Sequence, residues 1–122
     1  MSSDDFEVIA YKILAYLYAC LKSGKKVDIP AMRALAGCNE SYFGVVVKNL
    51  QAKGLIEGFF FDGMSGVVID SSALAAVSDP VITMDGAIYV RENSNMAKAK
   101  SFLGHAFEVA LTAVIEAATP RF

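Results

Sequence analysis

A mainly helical fold with a small antiparallel β-sheet is predicted for this chain, and three observations predict it. Over residues 39–53 the apolar side chains Phe43, Val46, Val47 and Leu50 recur at three- and four-residue spacing, as in a helix with one face in a core. Gly54 closes that helix and is followed at once by the β-forming run 55–61, the turn-rich residues 62–66 and a second short run over 67–70, which together read as a hairpin. In front stand a short helix opened by Pro30 and a turn at Gly37-Cys38. Helix, turn, helix and two-stranded wing in that order make a winged helix-turn-helix, here with additional C-terminal helices.

The remaining elements follow from local signals. Ser3 is the expected N-cap of a first helix running to about residue 22, with Asp4, Asp5 and Glu7 placed where the helix dipole favours negative charge. Its inner face is Phe6, Ile9, Ile13, Leu17, Cys20 and Leu21, and its opposite side carries a second stripe of Val8, Tyr11, Ala15 and Tyr18. Ser23-Gly24 stops this helix, and residues 26–29 suit the short third strand of a winged sheet. The second helix spans 30–36, and Asn39 caps the third. Residues 71–78 read as a loop. Ile82-Thr83 opens a fourth helix with Thr83 as its cap, and Ser94 is expected to cap a last one from 95 to about 118, before Pro120. Five helices and a three-stranded sheet are thus expected, with Phe6, Ile13, Leu17, Phe43, Val46, Leu50, Ile56 and Ile88 in one core.

At 122 residues the chain is read as one domain, with a core over about 4–92 and the last helix beyond it. Hydrophobic residues make up 55% of it. Still, no run reaches the roughly 18 uncharged apolar residues of a membrane span, because His105, Glu108 and Glu116 interrupt the most apolar stretch. With no basic-then-apolar leader at the N-terminus, a cytoplasmic protein without a membrane anchor is expected. Cys20, Cys38 and His105 are the only cysteines and histidine, too few for a zinc site within one chain, so neither metal nor other cofactor is expected. Ser101 and His105 share a helix without an orienting acid, and no carboxylate dyad or phosphate loop is present, so no enzymatic activity is expected.

One segment is specific enough to carry a resemblance. Ile82-Thr83-Met84-Asp85-Gly86-Ala87-Ile88-Tyr89-Val90-Arg91-Glu92-Asn93-Ser94-Asn95-Met96-Ala97-Lys98-Ala99-Lys100, together with Tyr11-Lys12-Ile13-Leu14 and the wing entry Lys53-Gly54-Leu55-Ile56-Glu57-Gly58, resembles the YjcQ-like winged-helix proteins of bacteria and their prophages. The resemblance covers about residues 5–103 and implies the fold and a bacterial or phage setting, with no catalytic residue to carry over. From Gly104 onward the tail is richer in alanine and apolar residues than that pattern.

Two functions fit. Net charge is -2, but Lys22, Lys25, Lys26, Arg33, Lys48 and Lys53 outnumber Asp28 and Glu40 between positions 22 and 53. A DNA-binding regulator would present Ser41, Gly44, Val45, Lys48 and Gln51 from its third helix, with Lys22, Lys25, Lys26, Arg33 and Lys48 supplying contacts to phosphates of double-stranded DNA. Against this, residues 55–70 contain no Lys or Arg but do contain Glu57, Asp62 and Asp70. Phe59-Phe60-Phe61 sends at least one ring away from the core, either under a loop or into a protein contact, so a protein-interaction module is the alternative. In the last helix Leu103, Phe107, Leu111 and Val114 form a seam, with Phe102 and Val109 on another flank. Paired with Val8, Tyr11, Ala15 and Tyr18, that seam is expected to build a homodimer or else to close the two helices on each other within one chain.

Overall fold

The computed structural model describes residues 1–70 and 79–121. In order, its elements are α1 (Phe6–Ser23), α2 (Ile29–Ala36), α3 (Glu40–Ala52), β1 (Ile56–Glu57), β2 (Val81–Ile82), α4 (Met84–Glu92) and α5 (Ser94–Ala117). The fold is mainly helical, with a small antiparallel sheet in which Ile56 faces Ile82 and Glu57 faces Val81. Among the described residues no helix is long and apolar enough to cross a membrane.

α1 is the axis of the packing. Val8, Ile9, Ile13, Leu14, Tyr16, Leu17 and Cys20 are all at most 1% exposed, and they spread over most of the helix circumference. It is accordingly packed by α2 and α3, by β2 and α4, and by α5, with Ala15, Tyr18 and Lys22 left along a more open flank. The Tyr16 hydroxyl, deep in this core, accepts the Asp28 N–H at 2.9 Å and donates to the Asp28 carbonyl at 3.4 Å, so the chain after α1 is tied back to it. Burial pushes the Tyr16 phenol well above its ordinary pKa.

Ile13, Leu17, Phe43, Val46, Leu50 and Ile56 lie in this core as expected, but Phe6 is 42% and Ile88 39% exposed. Phe6 is the first residue of α1, with the Tyr42 ring beside it, 6.3 Å between centroids, and Ile88 lies on the outer side of α4. Leu21, also placed on the inner face, is 45% exposed near the end of the helix. Asp5, not Ser3, occupies the N-cap of α1, its side chain accepting the Ser2 N–H at 2.9 Å rather than one from the helix. Asp28 caps α2, its Oδ1 accepting the Ala31 N–H at 3.3 Å, which draws Ile29 into the helix ahead of Pro30.

The expected third strand pairs elsewhere. Lys25 bridges Pro120, the Lys26 N–H donates to Thr119 at 2.8 Å and the Arg121 N–H to Gly24 at 2.9 Å. The returning C-terminal segment takes the backbone groups that would have extended the wing sheet. β1 instead pairs with Val81–Ile82, a segment read as the start of the fourth helix. Residues 71–78, read as a loop, lie outside the described residues.

Thr83 caps α4 as expected, its Oγ1 accepting the Gly86 N–H at 3.1 Å while donating to the Gly54 carbonyl at 2.6 Å. Its own N–H donates to Leu55 at 3.0 Å, so α4 is locked onto the end of α3. Asn93, not Ser94, caps α5, accepting the Asn95 and Met96 N–H groups at 2.9 and 3.3 Å. α5 is broken at Gly104, whose φ of 65° and ψ of -157° are open to glycine alone.

The tight α4 junction has a measurable consequence. A Cβ on Gly86 would stand 2.0 Å from the Leu55 carbonyl oxygen, which the Thr83 bonds hold in place, whereas one on Gly63 would meet nothing within 4 Å. Gly86→Ala is expected to cost about 1–3 kcal/mol in urea unfolding, the usual penalty of overpacking. Gly63→Ala should stay within about 0.5 kcal/mol.

Candidate nucleic-acid interface

α2 and α3 are joined by the three residues 37–39. Asn39 sets the direction of α3, its Oδ1 accepting the Tyr42 N–H at 2.8 Å, and the Tyr42 hydroxyl donates to the Asp4 carbonyl at 2.6 Å. Phe43, Val46, Val47 and Leu50 are buried against α1 and the sheet. The opposite face is open along three turns: Ser41, Val45, Lys48, Asn49 and Ala52 are exposed, Val45 to 51%.

Two residues expected on that face are elsewhere. Gly44 is buried beneath the hairpin turn, where an added Cβ would stand 2.4 Å from the Gly66 carbonyl oxygen. Gln51 lies at the flank of α3 and is engaged by the segment after β1: its Nε2 donates to the Phe59 carbonyl at 3.1 Å and its Oε1 accepts the Phe59 N–H at 2.9 Å. Hairpin and helix therefore dock through Gly44 and Gln51, and the part of α3 they cover cannot meet a duplex.

The cations divide among several elements. Lys48 is exposed on α3, while Arg33 is paired with Glu40, the first residue of α3, at 3.7 Å. Lys26 is exposed and Lys25 half-buried, on the segment paired with the C-terminus, and the Lys25 Nζ donates to the Ala118 carbonyl at 3.1 Å. Of the nucleic-acid candidates, Ser41, Val45 and Lys48 share one open face with Arg33 tied to its N-terminal end. Lys25 and Lys26 belong to another element, and Gln51 is structural. Asn49 was missed by sequence reasoning; it donates to the Val45 carbonyl at 2.8 Å on the same open face.

The hairpin is acidic and apolar. Phe61 bridges Val68, and the Ile69 N–H donates to Phe60 at 2.8 Å. Asp62 closes the turn, its Oδ1 accepting the Met64 and Ser65 N–H groups at 2.8 and 3.1 Å, which lower its pKa below the usual carboxylate value and hold a negative charge there. Strand alternation buries Phe59 and leaves Phe60 exposed, with Met64 and Ile69 exposed nearby in the sequence.

The stripes assigned to a dimer are largely closed within one chain. Val8, Tyr11 and Phe107 are buried, Ala15, Tyr18, Leu103, Leu111 and Val114 pack partly against the core, and the rings of Tyr11 and Phe107 are 5.9 Å apart. α5 lies along α1 and covers Val8 and Tyr11 of the second stripe, while Ala15 and Tyr18 stay partly exposed beside it. Phe102, Ala106, Val109, Ala110, Ala113 and Ala117 are among the residues that stay open on α5. Among the described residues no three His, Cys, Asp or Glu side chains come together as a metal site.

These contacts separate structural from surface roles on α3. Gln51→Ala leaves the Phe59 N–H and carbonyl without partners and is expected to lower stability by about 1–3 kcal/mol. Lys48→Ala should move it by no more than about 0.5 kcal/mol in the same urea titration.

A match to the protein family described as YjcQ protein covers residues 11–105. No curated protein and no solved structure matches the chain.

Proposed function

The chain belongs to the YjcQ protein family, and from that premise we propose that it is a winged helix-turn-helix protein that binds double-stranded DNA through α3, as a transcriptional regulator in the cytoplasm of a bacterium or its prophage. The observation that carries this proposal is the short α2–α3 connection with Ser41, Val45, Lys48 and Asn49 open on the outer side of α3. Ser41 and Asn49 offer hydrogen bonds to base edges or phosphates, Val45 an apolar contact for a thymine methyl, and Lys48 a cation. No catalytic step is part of the proposal.

Charge limits how tightly such a surface holds DNA. The hairpin beside α3 brings Glu57 and Asp62 and no Lys or Arg, so phosphate contacts fall to Lys26, Arg33 and Lys48. Binding is therefore weak and lost readily with salt. The exposed side chains of Phe60, Met64 and Ile69 favour one alternative, a winged helix that uses its hairpin to grip another protein.

Fluorescence anisotropy with a labelled random duplex at low salt tests the DNA role. Lys48→Ala and Lys26→Ala are each expected to reduce the log–log salt slope by about one unit. Absence of binding up to about 1 mM protein, the weak end of measurable affinity, overturns the proposal in favour of protein contact.

Homodimerisation belongs to the same proposal, through the face of α5 that includes Val109 and Ala113 rather than through the Phe107 seam. Light scattering at tens of micromolar is expected to give a dimer that Val109→Glu converts to a folded monomer. A monomeric wild-type chain removes the dimer without affecting the duplex test.

A further inference from the structure

The break at Gly104 divides α5 into two arms, and both arms, with the flanks of α1 and α4, line a groove of about 690 Å³. Small-molecule sites occupy roughly 300–1,000 Å³. The lining is flat and apolar at Tyr11, Ala15 and Tyr18 of α1 and at Phe107 of the second arm. Lys22 of α1, Arg91 of α4 and Lys100 of the first arm also line it, and all three are exposed.

These cations lack acidic partners. Among the described residues none of the three has a carboxylate within salt-bridge distance. The Lys22 ammonium sits 4.5 Å from the centre of the Tyr18 ring, and Arg91 uses its Nε on the Ala87 carbonyl at 3.3 Å, which leaves its terminal nitrogens for a ligand. Glu108 is the one carboxylate in the lining. Burial, and then this nearby carboxylate, push the Tyr11 phenol above its ordinary pKa, so Glu108 acts on the Tyr11 side of the groove. Three cations against one acid is a local excess of positive charge on a chain whose net charge is -2.

We propose that this groove binds a small amphipathic anion, a molecule with a flat apolar body and one carboxylate or phosphate head. The body lies against Tyr11, Tyr18 and Phe107, and the head meets Arg91 and Lys100 with Lys22 beside them. Aromatic side chains supply apolar area at little conformational cost, and the guanidinium provides paired donors for a planar carboxylate or a phosphate. Of its lining only Lys22 was expected to contact DNA phosphates, and the head-group test rests on Arg91 and Lys100, so the site stands or falls independently of that role.

Isothermal titration of the full chain with 2-naphthoate tests it, with 2-naphthyl phosphate and the uncharged 2-naphthylmethanol alongside. One saturable site per chain is expected for at least one of the two anions, and the alcohol should bind about tenfold more weakly, as for loss of one charged hydrogen bond. The relative strength of naphthoate and naphthyl phosphate identifies the preferred head. Arg91→Glu with Lys100→Glu, both at exposed positions, is expected to weaken the anion at least about tenfold while the melting curve is unchanged. Ala15→Phe, which fills the groove, should abolish binding, and Lys98→Glu, on α5 but outside the lining, should leave it intact. No saturable binding of either anion up to about 1 mM, equal binding of the alcohol, or binding indifferent to the double charge reversal in a folded protein overturns the proposal.

Discussion

Burial of α1 on two opposite sides is the constraint on which the rest of the structure depends. A helix with only one apolar stripe needs one neighbour, but α1 carries Ile13 and Leu17 on one side and Val8 and Tyr11 on the other, all buried. The α2–α3 pair covers the first side and α5 covers the second, with β2 and α4 also packed against α1. The Tyr16 hydroxyl brings polar chemistry into this centre, beside the buried Cys20 thiol. The Asp28 backbone satisfies the hydroxyl and so fixes where the chain leaves α1 for α2.

The same economy of contacts determines what α3 can do. Thr83 fastens α4 to residues 54 and 55 just beyond α3, Gln51 fastens the hairpin to the flank of α3, and Gly44 lets the hairpin turn approach its backbone. Each device covers a part of the helix that periodicity alone leaves exposed. The open remainder is a narrow strip with one lysine near its middle, beside a hairpin whose turn carries the Asp62 charge. Affinity for a polyanion on such a surface is modest because few cations are available to release counterions.

α5 plays two parts that meet at Gly104. Up to this point the chain follows the family pattern, whose match ends at residue 105. Beyond it the second arm brings Phe107 onto Tyr11, returns the C-terminus to the end of α1, and there displaces the expected third strand of the wing. A straight helix would carry both arms along one line. The glycine-only conformation at 104 instead lets both arms line one groove with α1 and α4, whose lining includes Lys22, Arg91 and Lys100.

What the amino-acid sequence determined by itself is whatever depends on interactions between near neighbours. Asn39 and Thr83 were legible as caps because each bonds an N–H three residues on, and the buried stripe of α3 was legible because helical geometry puts Phe43, Val46 and Leu50 on one side. Where two cap-competent residues stand together, as at Asn93 and Ser94, local signals do not choose between them. Tertiary structure decided the matters set by distant partners. β2 is two residues long and exists because β1 is opposite it, and Lys25 pairs with Pro120 because α5 ends nearby. The candidate site was legible to the same extent: Ser41, Val45 and Lys48 follow from the rotation of one helix, whereas the roles of Gly44 and Gln51 needed the hairpin in place. The second stripe of α1 shows the physical reason most plainly. Periodicity reveals that Val8 and Tyr11 share a face, but burial is a property of what lies against that face, and only the folded chain identifies its neighbour as α5 rather than a second copy.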